Sequence, residues 1–386
     1  MTRPIDRGTR CIVWLPLLLV LALSGCSPTE VLISQVSVDA PPEAYQSDPS
    51  TFSYHRSHLT PQEQYLYDQL LPCLNQQEAE IGDLYPDNDM IQHAIRAIER
   101  DHPELFWFSG TGQIETTLMG ETPVSAVYQP EYTMEPDERN QIQQTLDTWT
   151  ADCFSPLTSE SSDYDKAFRV YTYLIDHADY AQVDNNSILN IMVDGKGLCG
   201  CYAKTAQYLL TQLGMDCTYI SGTAGGEVHA WNLVWLDGVP CWMDPTWGDP
   251  VFVGGKSSDG PSFDYFCITT DDLQRTHTID DTVPVPMCNT QTYNYYHRNG
   301  LFFESYDPDA LTDVLKNAMA AQEPRIHLRF SDVVYASALN QLFDQGQIHD
   351  LLRQASQATH VPLTLDQPVW YSRNDDMSSL TMSIPY

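Results

Sequence analysis

Lysine is scarce in this 386-residue chain. Five lysines and the arginines make 19 basic residues against 52 acidic ones, a formal net charge of −33. Such a surface repels nucleic acid and anionic lipid, so nucleic acid is not an expected partner. The charge reads as solubility in a salty or crowded exterior. The acidic residues are dispersed, with no block long enough to form a separate tail. Internal repeats are missing, and so is the Cys-x-x-Cys spacing of common zinc sites. The apolar run Cys11 to Leu23 has 13 residues, short of the roughly 20 that span a bilayer. What is present is 42% apolar residues and 22 tyrosines, enough for globular cores. The length suits two domains, or one domain with extensions.

The first residues read as a targeting segment. Arg3, Arg7 and Arg10 precede the apolar run, and Leu23-Ser24-Gly25-Cys26 follows it. This arrangement resembles a bacterial lipoprotein signal, in which the peptide is cut before the cysteine and that cysteine takes lipid. Residues 1–25 are thus expected to be a signal peptide. Cys26 is the expected lipidation site, with the mature chain membrane-anchored on the extracytoplasmic face. Residues 26–58, rich in Ser, Pro, Asp and Glu, read as a flexible tether. Cys73, Cys153, Cys217, Cys241, Cys267 and Cys288 could pair as disulfides or stay as buried thiols, and their irregular spacing predicts no pairing.

Residues 59–150 read as an N-terminal α+β segment. Thr60-Pro61-Gln62-Glu63 is a capping box with proline at the first helical position, and Pro72 is expected to end or kink that helix. Ile91, Ala94, Ile95 and Ile98 mark a second helix over about 88–101, and strands are expected near 106–108, 113–117 and 124–129. Helical periodicity returns over 163–177 and 199–213, with Gly214 as a helix stop. Strands follow near 217–221, 228–236 and 239–244, and 250–262 reads as a loop. Residues 290–386 read as a C-terminal α+β segment, with a strand at Arg325–Phe330 and a hairpin between Val369 and Ile384. His277, after Asp271-Asp272, reads as a surface residue.

Residues 151–289 hold the chemistry. Three words stand in order: Gly197-Leu198-Cys199-Gly200-Cys201-Tyr202-Ala203, His229-Ala230-Trp231-Asn232 and Asp244-Pro245-Thr246-Trp247. Cys199 falls where a loop becomes a helix. The partial positive charge and free N–H groups of a helix start favour a thiolate and can receive an oxyanion. Asp237-Gly238 is a two-residue turn signal. If it is the turn, Leu236 faces Val239 and Trp231 faces Asp244. His229 and Trp231 share a face, so Asp244 lies diagonally beside His229, within side-chain reach. The roles follow from that placement. Cys199 is the nucleophile, His229 the base, and Asp244 the group that fixes the imidazole. A metal held by Cys199, Cys201 and His229 lacks a fourth ligand, and the thiol mechanism requires no metal or cofactor.

The run 195–250 resembles the transglutaminase-like core of bacterial extracellular proteins. Its nucleophile word is Gly-x-Cys-x-Gly-Tyr-Ala, and Ser221-Gly222-Thr223-Ala224, His229–Val234 and Asp244–Pro250 match further stretches. Tyr202 matches without a derived role. Cys201 stands where the motif has glycine; it either fills that place as a small buried residue or traps an oxidised Cys199. The resemblance implies an α+β fold with a papain-like core, in which a Cys-bearing helix packs on an antiparallel sheet. It also implies Cys199, His229 and Asp244 as catalytic residues. The expected function is acyl transfer or hydrolysis at peptide or protein amides through a thioester. A cell-surface cysteine peptidase and a catalytically inactive scaffold are the alternatives. Cell-wall peptide, a surface protein and a dietary or host protein are all open as substrates.

Overall fold

The computed structural model describes residues 37–45, 52–250, 260–280, 283–364 and 369–386. The signal segment 1–25, the lipidation candidate Cys26, much of the tether and most of the loop 250–262 lie outside the described residues. No helix among the described residues is long and apolar enough to cross a membrane.

The chain opens with α1 (Tyr54–Ser57) and α2 (Pro61–Asn75). α2 carries the expected capping box between Thr60 and Glu63. Pro72 does not end it, because the buried Leu70 and Leu74 hold the last turn against the core. β1 (Ile81–Leu84) and α3 (Asn88–Asp101) follow, the latter burying the periodic face with Ile91, Ala94, Ile95 and Ile98. β2 (Phe108–Met119) and β3 (Thr122–Tyr132) complete a three-stranded antiparallel sheet of order β1-β3-β2.

Helices α4 (Pro136–Phe154) and α5 (Asp163–Asp176) lead into the central part. There β4 (Asp179–Tyr180), α6 (Leu189–Met192) and β5 (Lys196–Gly197) deliver the chain to α7 (Cys199–Gln212). α7 stops as expected: Gly214 has φ +75° and the Met215 amide bonds the Leu210 carbonyl, the left-handed cap that glycine allows. The central sheet then forms from β6 (Cys217–Ala224), β7 (Glu227–Leu236), β8 (Val239–Met243), β9 (Phe266–Ile268) and, after α8 (Thr270–Leu273), β10 (His277–Ile279). It is antiparallel throughout, in the order β10-β6-β7-β8-β9.

This sheet is buried on both faces. Val234, Leu236, Cys241 and Met243 join a core that also takes in α7 and the N-terminal helices. Trp231, Leu233, Trp242 and Ile268 form a second cluster on the other face. The C-terminal part builds a third: α9 (Tyr295–Arg298), β11 (Phe302–Phe303), α10 (Pro308–Ala320), β12 (Arg325–Phe330), α11 (Asp332–Leu339), α12 (Gln347–Thr359), β13 (Tyr371–Asn374) and β14 (Ser379–Ser383). Its sheet has the order β11-β12-β14-β13.

Two further expectations change. The end of the tether is not loose: Tyr54 and His55 in α1 are buried, and the carboxylate of Asp101 accepts the backbone N–H groups of His55 and Arg56, each at 2.9 Å. His277 is not a surface residue. It is 2% exposed on β10, because its strand pairs with β6 and turns the ring into the sheet's aromatic face.

Candidate active site

The β7–β8 hairpin places the second and third words. Leu236 pairs with Val239 and Asn232 with Met243. Asp237 and Gly238 both have positive φ, 50° and 77°, the geometry of a two-residue primed turn. Asp244 follows directly after β8, level with Trp231, and its Oδ2 lies 2.7 Å from Nε2 of His229. Pro240 sits in the hairpin opposite Trp235 without displacing the register.

Cys199 is the first residue of α7, and its N-cap, Leu198, has an extended backbone and no side-chain cap. The Cys199 side chain hydrogen-bonds His229. With Nε2 of the ring turned to Asp244, Nδ1 is the nitrogen left for the thiol. A Cβ on Gly200 would sit 2.5 Å from the exposed Asn186 side chain, which would have to move aside. Cys201 points away from Cys199, as spacing on a helix dictates. It is fully buried, and its Sγ bonds the Asn185 carbonyl at 3.4 Å. A Cβ on Gly197 would clash with it at 2.6 Å. Cys201 thus fills a small internal site beside the nucleophile word. All eight cysteines among the described residues are free thiols.

Three further contacts hold the words together. The Asn232 side chain donates to the Ala203 carbonyl at 2.9 Å, tying the His strand to the Cys helix. Tyr202 donates its hydroxyl to Asp249 at 2.6 Å, tying the helix to the Asp word, which supplies the role its sequence match lacked. A Cβ on Gly248 would lie 1.9 Å from the Tyr171 hydroxyl, so the Asp word passes α5 only with glycine there.

The electrostatics follow from burial and pairing. Burial pulls the His229 imidazolium down. The Asp244 carboxylate, the hydrogen bond to it and the contact with Cys199 outweigh burial and push the pKa up to about 10. Burial would raise the Asp244 carboxyl, but the charge and hydrogen bond of His229, with the hydrogen bond and charge of His277, hold it well below the usual carboxylate range. His277 was missed by sequence reasoning. Its Nε2 lies 3.1 Å from the same Asp244 Oδ2. No local pattern announces it, because its partner is 33 residues away and reached across the sheet.

His229, Asp244 and His277 bring possible ligand atoms within 4.8 Å of one another. Ion ligation at about 2.0–2.1 Å would spread those atoms around a central gap. Here Oδ2 contacts both rings directly, at 2.7 and 3.1 Å, so the fit is to hydrogen bonds and not to a metal. Trp247 lies beside the pair, its ring centroid 6.2 Å from that of His229. It also lines a cleft of about 680 Å³ between the central and C-terminal sheets.

Residues 155–245, which include Cys199, His229 and Asp244, match the family model of the transglutaminase-like superfamily. This segment is similar to a transglutaminase-like core. Its α+β fold has the Cys-bearing helix and the antiparallel sheet with His and Asp that the sequence resemblance implied. No curated protein matches the chain. Among solved structures, a TGase is 13% identical with a TM-score of 0.26, over 38% of this chain and 47% of that one. A proposed cysteine protease from Cytophaga hutchinsonii is 16% identical with a TM-score of 0.24, over 36% of this chain and 64% of that one. A proposed protease from Parabacteroides distasonis ATCC 8503 is 7% identical with a TM-score of 0.22, over 35% and 36%. The chain spans less than two thirds of each, and at these TM-scores the likenesses carry no argument.

Proposed function

We propose that this protein is a thiol enzyme that acts on peptide or protein amides through Cys199, His229 and Asp244. The observation that carries the reading is the chain of contacts from the buried Asp244 through His229 to the half-buried Cys199 at a helix start. Asp244 holds Nε2 of the imidazole, so Nδ1 takes the thiol proton. The Cys199 thiolate attacks the carbonyl carbon, and the N–H groups of the α7 start receive the oxyanion. Nδ1 then returns the proton to the leaving amine, which departs as the thioester forms. Water or a second amine, deprotonated by His229, attacks the thioester and frees the thiol. Water at about 55 M favours hydrolysis unless the site excludes it and binds an amine.

In the same reading the signal at residues 1–25 exports the chain and is cut away, and lipid on Cys26 holds the enzyme at the extracytoplasmic face of the membrane. A peptide or protein, with cell-wall peptide among the candidates, is its substrate. The test uses the ectodomain with a peptide library and a fluorescent primary amine, read by mass spectrometry. Amine incorporation marks transfer, and cleavage or deamidation marks hydrolysis. Products that are equal in the parent and in Cys199→Ala would leave a surface scaffold as the better account.

A further inference from the structure

We propose that His277 is a positioning residue of this site, resting on the thiol reading above: its Nε2–H holds the Asp244 carboxylate in the state that keeps His229 directed at Cys199. Both oxygens of Asp244 are engaged. Oδ1 accepts the backbone N–H groups of Thr246 at 2.9 Å and Trp247 at 3.2 Å. Oδ2 is shared by His229 at 2.7 Å and His277 at 3.1 Å. His277 therefore spends the only ring nitrogen it turns toward the site on the atom that orients the base.

Its tautomer is arranged from behind. Nδ1 of His277 lies 2.8 Å from the Thr276 hydroxyl, and that oxygen lies 3.1 Å from the Tyr265 hydroxyl. If Tyr265 donates to Thr276 and Thr276 donates to Nδ1, the ring proton is left on Nε2, facing Asp244. The rings of Trp231, Trp247 and Tyr265 surround the imidazole at centroid distances of 5.0, 5.0 and 5.4 Å. A phenylalanine would fill that aromatic box about as well, so packing alone does not call for a histidine. The titratable groups facing His277 are Asp244, His229 and Tyr265.

Loss of this donor leaves Oδ2 with one partner. The carboxylate becomes more basic and protonates at a higher pH. Once Asp244 is neutral, His229 no longer holds its charge beside Cys199, and the thiolate is lost with it. Acid-side loss of Cys199 reactivity should therefore move to higher pH.

The substitution series exploits a topological match. The amide nitrogen of Gln stands as many bonds from Cα as Nε2 of His, while that of Asn falls short. Labelling of Cys199 by iodoacetamide, followed by mass spectrometry from pH 4 to 10, needs no substrate. His277→Gln should label within about threefold of the parent at pH 6. His277→Phe and His277→Asn should label about tenfold more slowly there, with the acid limb shifted up, as expected for a lost hydrogen bond to a charged group. Circular dichroism checks folding, and if the Phe variant fails to fold, the Gln–Asn comparison decides. Equal labelling by Gln and Asn variants, or an unmoved acid limb in Phe, overturns the role of His277 while leaving the thiol reading intact. A parent whose Cys199 does not label at pH 6 overturns the thiol reading and this one with it.

Discussion

Asp244 is the residue on which the site's charge balance turns. It is fully buried, yet four donors converge on it, two backbone amides and two imidazoles. The consequence for pH can be signed. His229 has its pKa raised to about 10 in the folded protein. Its pairing therefore stabilises fully below the ordinary histidine range near 6.5 and is lost as pH rises through 10. Asp244 is depressed, so its contribution is fully present above the ordinary carboxylate range and is lost as pH falls from there through its lower folded-state value. Replacing Asp244 with Asn removes the charge that overcomes burial at His229. The acid limit of Cys199 alkylation in Asp244→Asn should rise by more than about one pH unit, because a neutral imidazole no longer favours the thiolate. An acid limit unchanged from the parent would show that another group sets it. Stability to urea should also fall, by about 1–3 kcal/mol, because a hydrogen-bonded acceptor for His277 is altered in a dry site.

At the scale of elements, glycines decide which strands can meet. Gly222 faces His229 on one side and Ile279 on the other. A Cβ there would come within 2.1 Å of the Thr278 carbonyl and 2.8 Å of the Trp231 ring. The Ser221-Gly222-Thr223 stretch thus has a physical reason: it lets β10 approach β6 closely enough to bring His277 under Asp244. Gly222→Ala should cost about 1–3 kcal/mol in thermal or urea unfolding through this overpacking. It should also slow Cys199 labelling, although residue 222 touches no reacting atom. A variant as stable and as reactive as the parent would mean that β10 tolerates displacement.

The β7–β8 hairpin was legible in the sequence because a two-residue turn counts pairs outward from one point. Asp237-Gly238 sets Leu236 opposite Val239, and each further pair is forced. The same logic could not reach β10, which is three residues long, follows a turn and joins the far edge of the sheet. Read beside Asp271-Asp272, His277 looked like a surface residue. In fact Asp272 is itself buried, paired with Arg329 of β12. Local polarity misled the reading of His277 because the compensating partner is distant.

At the scale of the molecule, the central part that carries Cys199, His229 and Asp244 does not stand alone. Its helices share one apolar cluster with α2, α3 and the strands of the N-terminal sheet. α1 extends this from the other side: Tyr54 packs in the cluster that contains Trp231 and Trp242, and Nε2 of His55 lies 2.9 Å from the Tyr219 carbonyl. A chain that starts at Leu59 should therefore be less stable than one that starts at Ser27. Burial of Tyr54 and the partners of Asp101 together predict a loss of at least about 2 kcal/mol by chemical denaturation. Superimposable unfolding curves would return residues 52–58 to the tether.

The sequence by itself determined the helix that starts at Cys199, the hairpin register that joins His229 to Asp244, and the caps and periodic faces of α2, α3 and α7. These are set by neighbours within a turn or a strand, where φ preferences, capping side chains and apolar spacing act directly. Only the tertiary structure decided that Cys201 is enclosed, that the chain is held to the folded body at Val38, Tyr45 and Tyr54, and that His277 shares the Asp244 carboxylate. Each of those depends on which surfaces meet after collapse, and a buried polar group finds its partner wherever the fold brings one, not where the chain places its neighbours.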